Sequence, residues 1–463
     1  MGSRAADVTG TEGVPSVSRF RWWLVGVVLL VVVAAAVAAV LIVVGRKVEG
    51  RPQAASLPGL PAQTLLASSM RKQPVPGWKV TVKQLGLPPG TAVKPLRNVG
   101  ERGYFLGITA KGWWLVGVDL GRGQRLFAPV PIGTAENALS IDCFVNGPAM
   151  VLCIREDRDP NRPARTSVVD AEKGTLVFDG ESDLRTSPAA DHPTLWQVGD
   201  YVVAEVTGKG IYGVGPHTEL TWFVAGAGTL SASEFEKWSR DVAPQALAVQ
   251  HGTRAGDVVF SVADGKVVKP AMPKDRQLWS AIAYPNGFGY EYRSETDRVD
   301  RVAFFDNSGK ELSQPESPGS LRIGPFDVPM VETESKDVIF TLDGRKLLEL
   351  PKSERMPYAR LIGTKLFITT DKSQRIWQQY DLRTGARGKT CDNEDLGFGY
   401  IGSDGAVAVI ADGTSARAID LVTCDPLWSL PQETQETAIE VWKVNTTLIQ
   451  RTNDELFSLV SPK

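Results

Sequence analysis

Three stretches of this 463-residue chain carry residue types at spacings that could do chemistry. Residues 208–213, Gly-Lys-Gly-Ile-Tyr-Gly, match the glycine fingerprint of dinucleotide-binding loops. Such a loop needs a helix after its last glycine, because the N-terminus of that helix binds the phosphate groups. Strand-like residues follow Gly213 instead. We therefore predict a hairpin turn at this position and assign no cofactor-binding residue.

The other two stretches are acidic. Residues 157–161, Asp-Arg-Asp-Pro-Asn, begin like a calcium-binding loop, but Arg162 stands where that loop needs glycine. Val168 occupies the position of the bidentate glutamate. We interpret this stretch as a solvated hairpin tip. Residues 392–395, Asp-Asn-Glu-Asp, are interpreted as a surface loop, with a weak cation site as the alternative. No metal-binding residue is assigned.

The three histidines, His192, His217 and His251, are far apart in the sequence, and none lies in a nucleophile motif. No catalytic residue is therefore assigned, although a site assembled from several parts of the fold would not be visible in the sequence. The 51 basic and 53 acidic residues nearly cancel, so the chain lacks the charge excess typical of nucleic-acid binding.

Four cysteines form two plausible pairs. Cys143 and Cys153 flank a turn at residues 146–148, which would place them opposite each other on adjacent antiparallel strands. Cys391 and Cys424 lie one repeat apart, at equivalent edges of neighbouring units. We predict two disulfides with these pairings, which favours a compartment outside the cytoplasm. The alternative is four reduced thiols in a cytosolic domain; a zinc site is disfavoured because neither pair has zinc-finger spacing.

A short turn motif recurs along the chain, with aspartate at the end of one strand and glycine four residues later. The aspartate side chain accepts backbone N–H bonds at the turn, and the glycine adopts the left-handed conformation that closes it. We predict a structural role for these residues and no catalytic one. The positions are Asp119 with Gly123, Asp170 with Gly174, Asp381 with Gly385, and Asp420 with Cys424 in place of glycine.

Turn aspartates from residue 119 to residue 420 recur with a mean step of about 43 residues, with a degenerate unit near residues 216–217. A period of this length with three or four strands per unit is typical of a β-propeller blade. The sequence predicts an all-β fold, a β-propeller of about eight four-stranded blades, with seven as the alternative. A strand near residues 78–83 is expected to complete the last blade beside residues 446–460 and remove an exposed sheet edge.

The turn motif is similar to the repeat of quinoprotein-type, or pyrroloquinoline-quinone-like, β-propellers. In that repeat an aromatic residue follows the turn glycine by four positions, as Phe127 follows Gly123 and Phe178 follows Gly174. Lys389, four positions after Gly385, is not aromatic and departs from this pattern. The resemblance covers residues 78–463 and implies aromatic packing between blades. Quinone-dependent members carry two adjacent cysteines, which this chain lacks. The family also includes non-enzymatic outer-membrane assembly lipoproteins, so it does not decide the function.

The N-terminal part is predicted to hold a membrane anchor. Residues 24–44 are 21 apolar residues without a charge, enough to cross a bilayer as a helix. Basic residues flank this segment equally on both sides, so the cysteines, and not the charges, determine the predicted orientation. The alternatives are a cleaved signal peptide and a buried helix. The predicted order is a disordered cytoplasmic tail at 1–21, a transmembrane helix at 22–45, a proline-rich linker at 46–77 and a propeller ectodomain at 78–463.

These features predict a single-pass protein of the bacterial cell membrane, with most of the chain outside the cytoplasm. The propeller is expected to be a non-enzymatic binding or scaffolding module without a cofactor. Its expected partners are the membrane, crossed once, and a protein or a cell-wall glycan, but no nucleic acid. The alternative function is enzymatic, either a quinoprotein-like oxidoreductase or a propeller hydrolase. A sensor ectodomain that signals through a partner is a third possibility.

Overall fold

The computed structural model describes residues 57–463, apart from residues 137, 160–161, 189–191, 232–240, 253–255, 297–298, 323–326, 353–357, 370, 393, 412–414 and 431–439. The predicted tail and membrane helix lie outside the described residues. Within the described part, no helix is long and apolar enough to cross a membrane.

The described residues form nine antiparallel sheets, numbered here as blades 1 to 9 in chain order. Blade 1 contains β2 Ala92–Val99, β3 Arg102–Thr109, β4 Gly112–Asp119, β5 Gln124–Arg125 and β6 Val130–Thr134. Blade 2 contains β7 Ala138–Asn146, β8 Met150–Asp157, β9 Ala164–Asp170 and β10 Thr175–Ser182. Blade 3 contains β11 Thr194–Val198, β12 Tyr201–Val206, β13 Gly210–Val214 and β14 Leu220–Ala225.

Blades 4 to 6 continue the same pattern. Among the described residues, blade 4 contains two strands, β15 Leu247–Gln250 and β16 Val258–Ser261, each flanked by a single bridge pair, Leu230 with Gln250 and Phe260 with Val267. Blade 5 contains β17 Arg276–Tyr284, β18 Gly287–Ser294, β19 Asp300–Asp306 and β20 Glu311–Ser313. Blade 6 contains β21 Ser320–Leu321, β22 Met330–Glu332, β23 Lys336–Phe340 and β24 Lys346–Pro351.

The last three blades complete the ring. Blade 7 contains β25 Tyr358–Ile362, β26 Lys365–Thr369, β27 Ile376–Asp381 and β28 Ala386–Asp392. Blade 8 contains β29 Tyr400–Ser403, β30 Val407–Ala411, β31 Ala416–Asp420 and β32 Pro426–Ser429. Blade 9 contains β33 Glu440–Val444, β34 Thr447–Thr452, β35 Glu455–Val460 and the N-terminal strand β1 Val75–Thr81. One short helix, α1 Val82–Leu85, follows β1 and is capped by Thr81.

The hydrophobic core is divided among the junctions between blades. Nine clusters of buried side chains are found in the described residues, and each joins two blades that follow one another in the chain. The cluster that joins blade 9 to blade 1 packs Val444 and Ile449 against Phe105 and Val116. Because the last blade therefore contacts the first, the sheets form a closed nine-membered ring.

The prediction of a β-propeller is confirmed, and eight of the nine sheets have at least four strands. The remaining sheet, β15–β16 of blade 4, counts as a separate blade because a hydrophobic cluster packs against each of its two faces. The N-terminal strand pairs antiparallel with β35, as expected, so that Val80 lies opposite Leu456. Pairing at this position replaces two exposed sheet edges with one closed blade.

The packed domain begins earlier than the sequence analysis placed it. Leu66 and Met70 belong to the region expected to be a linker, yet both side chains are buried in the cluster between blades 8 and 9. The described part of that region, residues 57–74, is therefore part of the ring assembly. The proline content suggested an extended spacer, but the segment between the prolines contributes two core side chains, Leu66 and Met70.

The turn motif has the geometry that its residue types require. The Asp381 carboxylate accepts a hydrogen bond from the Arg383 N–H at 2.9 Å, and the Gly385 N–H donates to the Asp381 carbonyl at 2.8 Å. Gly385 has a φ of 69°, and Cys424, which takes the glycine position in blade 8, has a φ of 59°. Hydrogen bonds to Arg383 also keep the pKa of Asp381 below its ordinary value.

The other turns repeat this arrangement. Asp119, Asp170 and Asp420 each accept two backbone N–H bonds at their Oδ1 atoms, at distances from 2.7 to 3.0 Å. Gly123 and Gly174 have positive φ angles of 68° and 65°. These turns connect the third and fourth strands of their blades. The carboxylates are occupied by backbone donors, which agrees with a structural role.

Alanine substitutions at two turn glycines should separate backbone strain from crowding. A Cβ atom at Gly385 would have only the Leu347 carbonyl near it, at 3.7 Å, whereas one at Gly123 would lie 2.4 Å from the Trp78 ring. We expect Gly385→Ala to lower the free energy of unfolding by about 1 kcal/mol through left-handed strain alone. Gly123→Ala should cost roughly 2–3 kcal/mol, because the ring must also move. Urea denaturation measures both; equal losses would contradict the crowding argument.

Candidate binding surfaces and the closed end of the ring

Both predicted disulfides are present with the predicted pairings. Cys143 on β7 lies directly opposite Cys153 on β8, within one blade. The second disulfide joins Cys391, at the outer strand of blade 7, to Cys424 in the turn of blade 8. It therefore links two neighbouring blades covalently, beside the apolar cluster that packs between them.

The motifs first considered for chemistry are occupied by internal contacts. Residues 208–213 form the hairpin between β12 and β13, where the Gly208 N–H donates to the Ala227 carbonyl at 2.7 Å. Asp157 accepts the Asp159 N–H at 2.9 Å. Glu394 forms an ion pair with Arg417 at 2.7 Å. Among the described residues, no group of three or more His, Cys, Asp or Glu side chains is placed to hold a metal ion.

Two of the three histidines singled out in the sequence, His217 and His251, contact different partners. His251 Nδ1 lies 3.1 Å from the Asp257 carboxylate between β15 and β16. His217 lies edge-on to Phe178, with ring centroids 6.1 Å apart, where blade 3 contacts the outer strand of blade 2. His251 and His217 thus occupy separate blades, and the structure brings neither to a nucleophilic side chain in the described residues.

The N-terminal segment, residues 57–72, crosses several blades and is called the strap here. It lies on the face of the ring that carries the turns between first and second strands and between third and fourth strands, called the turn face. Gln63 exchanges two hydrogen bonds with the backbone of Gly363 in blade 7, at 2.8 and 2.7 Å. The Leu66 N–H then donates to the Ser403 carbonyl in blade 8 at 2.7 Å.

The C-terminal part of the strap is fixed by one methionine. The Met70 N–H donates to the Asp404 carboxylate at 2.7 Å, and the Met70 carbonyl accepts from the indole of Trp428 at 2.7 Å. Its side chain is fully buried between blades 8 and 9. Arg71 then reaches Asp420 at 3.0 Å, with the arginine largely exposed. The strap is therefore attached by isolated hydrogen bonds and by apolar side chains, of which Leu66 and Met70 are buried.

A second segment, residues 241–246, is called the axial loop here. It lies between Ser231, which is paired to blade 4, and β15 of the same blade. The Asp241 side chain nevertheless contacts Tyr400 of blade 8 and Lys443 of blade 9. Six residues connect Asp241 to Leu247, and a chain of that length spans at most about 20 Å. In a ring of nine, blade 8 lies opposite blade 4, so the axial loop crosses the mouth of the ring.

The strap and the axial loop meet at this mouth. Gln63 and Val242 form an antiparallel bridge, with hydrogen bonds from the Thr64 N–H to the Asp241 carbonyl at 2.5 Å and from the Ala243 N–H to the Ala62 carbonyl at 3.0 Å. Two segments far apart in the sequence thus make one two-stranded element. This element covers the ring at its turn face.

A buried ion pair lies beneath this element. The side chains of Lys443 and Asp241 are only 3% and 1% exposed, and they contact each other directly. Tyr400 donates its hydroxyl to the same carboxylate, and burial together with the nearby Asp241 charge raises the pKa of Tyr400 well above its usual value. The Arg360 guanidinium stacks on the Tyr400 ring, 4.3 Å from its centroid. These charged groups are therefore used to hold the chain together.

Sequence reasoning did not find this cluster. Asp241 and Lys443 are 202 positions apart, and neither belongs to a repeated motif. The available signal was indirect: the interval between the turns near residues 216 and 264 has room for an insertion beyond the strands of blade 4. An isolated lysine within an apolar strand, Lys443 between Trp442 and Val444, was the second sign.

A polar cleft and a group of exposed apolar side chains are two features of the remaining described surface. A polar cleft of about 560 Å³ opens between blades 5 and 6, lined by residues that include Asp300, Ser317, Glu332 and Lys352. Glu332 is already paired to Lys352 at 2.7 Å. On the outer wall of blades 2 and 3, four apolar side chains are exposed on β10 and β14. They are Leu176, Val177, Leu220 and Phe223.

Comparison with known proteins assigns the nine-bladed ring to a family. A family model described as a conjugation-associated 9-bladed beta-propeller domain matches residues 51–462. The chain belongs to this family. The nine blades of that description agree with the nine hydrophobic junctions. The chain is also 36% identical, over 434 residues, to an uncharacterised protein of Mycolicibacterium smegmatis (strain MKD8), covering 87% of this chain and 88% of the relative.

Two solved structures are similar to the chain at low sequence identity. BamB from Moraxella catarrhalis is 12% identical with a TM-score of 0.32, over 84% of this chain and 98% of that one. A eukaryotic initiation factor is 12% identical with a TM-score of 0.42, over 80% of this chain and 90% of that one. Similarity this low carries no functional argument.

Removal of each disulfide should destabilise the protein by an amount that follows its loop length. The sequence separations are 10 and 33 residues. We expect losses of roughly 3 kcal/mol for Cys143→Ala/Cys153→Ala and roughly 4 kcal/mol for Cys391→Ala/Cys424→Ala by chain-entropy estimates. Urea denaturation with and without reductant measures both.

A matched variant isolates the backbone contribution at residue 424. Because Cys424 has a positive φ, Cys391→Ala/Cys424→Gly should recover about 1 kcal/mol relative to the alanine pair. Reductant should lower the stability of the parent protein but leave a variant without all four cysteines unchanged. No effect of reductant on the parent protein would contradict the stabilising role.

Proposed function

We propose that this chain is a membrane-anchored, non-enzymatic binding module of the bacterial cell envelope that acts in conjugation. The closed turn face is the observation that carries the binding role. There, the buried charges of Asp241 and Lys443 neutralise each other, and Tyr400 is engaged by the same carboxylate. Side chains that are committed to internal contacts favour a rigid scaffold over a reactive centre.

Three further observations support parts of the proposal. The two disulfides favour a compartment outside the cytoplasm, where such bonds persist. The uncharged stretch at residues 24–44 is long enough for a single span. The description of the family associates it with conjugation, which suggests that the partner belongs to a DNA-transfer apparatus.

A protein is the favoured partner, in preference to a glycan. The exposed apolar side chains on β10 and β14, such as Phe223 at 50% exposed, suit a protein interface, whose centre is typically apolar. Polar side chains dominate the cleft between blades 5 and 6, but its carboxylate Glu332 is already neutralised by Arg322 and Lys352. The role proposed is therefore to hold a protein component of the apparatus at the membrane.

A conjugation assay tests the role directly. Deletion of the gene in a donor strain should lower plasmid-transfer frequency by more than an order of magnitude without slowing growth, because a scaffold is needed only for assembly. The full chain should restore transfer, and a chain lacking residues 22–45 should not. Normal transfer by the deletion strain would refute the role in conjugation.

A topology assay tests the anchor and compartment separately. In intact spheroplasts, added protease should degrade the propeller, and its fragments should carry both disulfides when mapped without reductant. The chain should remain in the membrane fraction after carbonate washing, while the variant lacking residues 22–45 should be released. A propeller that becomes accessible only after lysis would show the opposite orientation.

A further inference from the structure

The strap and the axial loop are connected to each other by the antiparallel bridge between Gln63 and Val242. Asp241, the residue before Val242, forms the buried ion pair with Lys443 of blade 9. The ion pair therefore lies directly beneath the bridge. Neither segment can leave the turn face alone without breaking hydrogen bonds to the other.

The ring does not depend on this element for its closure. Strand β1 pairs with β35 through five residue pairs, from Val75 with Val460 to Thr81 with Glu455. The strap lies before β1 in the chain and joins the ring through isolated hydrogen bonds and the buried side chains of Leu66 and Met70. In the strap, bridge pairing is limited to Gln63, and extended strand pairing begins only at Val75. Segments with few backbone hydrogen bonds open at lower free energy than continuous strands.

We propose that the strap and the axial loop are one latch, which opens as a unit and uncovers the turn-face mouth of the closed ring. The Asp241–Lys443 pair keeps the latch shut. Opening exposes Tyr400 and Lys443 on the innermost strands of blades 8 and 9, while β1 keeps the ring intact. Opening of the latch is a property of the isolated protein and does not depend on a role in conjugation.

Hydrogen exchange measured by mass spectrometry on the full chain tests the latch. In Lys443→Met, exchange should accelerate by roughly tenfold or more in peptides covering both 57–72 and 241–246, because the buried carboxylate loses its counter-charge. Peptides from β1, β34 and β35 should be unchanged. The charge-swapped variant Asp241→Lys/Lys443→Asp should recover protection in both segments.

Two controls keep the test independent of misfolding. Arg71→Met removes an ion pair of the same strap in which the arginine, but not Asp420, is largely exposed, and it should leave exchange in 241–246 unchanged. A disulfide introduced by Gln63→Cys/Val242→Cys joins the two segments to each other and not to the ring, so the accelerated exchange of Lys443→Met should persist in both segments. Suppression of that acceleration by the disulfide, reversed by reductant, would show that the two segments open by separating from each other. Acceleration in only one segment, acceleration throughout the ring, or no acceleration in Lys443→Met would each overturn the latch.

Discussion

The structure depends on closing the ring through the antiparallel pairing of β1 with β35. Each blade buries its apolar faces only against its two neighbours, so an open ring would leave two blades with one uncovered face each. The cluster between blade 9 and blade 1 includes Val80 and Leu85, which come from the N-terminal strand and the helix after it. Closure therefore buries the last junction and removes the free sheet edges in a single step.

The same constraint explains how a weak blade is tolerated. In the described residues blade 4 has two short strands, β15 and β16, yet Phe260 packs towards blade 3 and Val259 towards blade 5. The two junctions supply the burial that its own outer strands do not. A sheet of this size is unstable alone in water, but in a ring its neighbours are fixed in place.

The sequence was sufficient for the features that repeat. The turn residues Asp170, Asp381 and Gly385 located the blades, because a turn requires particular residue types at fixed positions. Blade 9 is harder to recognise in the sequence as a complete blade, because its fourth strand, β1, comes from the other end of the chain. The strap was interpreted as a linker because residues 46–77 contain five prolines, while its burial depends on isolated residues such as Leu66.

The buried ion pair of Asp241 with Lys443 could not be predicted because its residues, like those of the strap, do not repeat along the chain. The same uniqueness explains why this contact is charged. A ring of nine similar junctions offers nine similar apolar positions to a crossing segment, so apolar contacts alone do not distinguish them. The buried Lys443 on β33 does, since its ammonium group supplies the counter-charge that the buried Asp241 carboxylate needs. Buried ion pairs contribute little net stability compared with apolar packing, but they can fix a unique arrangement. Asp241 and Lys443 thus determine where the axial loop sits, and the non-repeating residues carry the information that the repeats cannot.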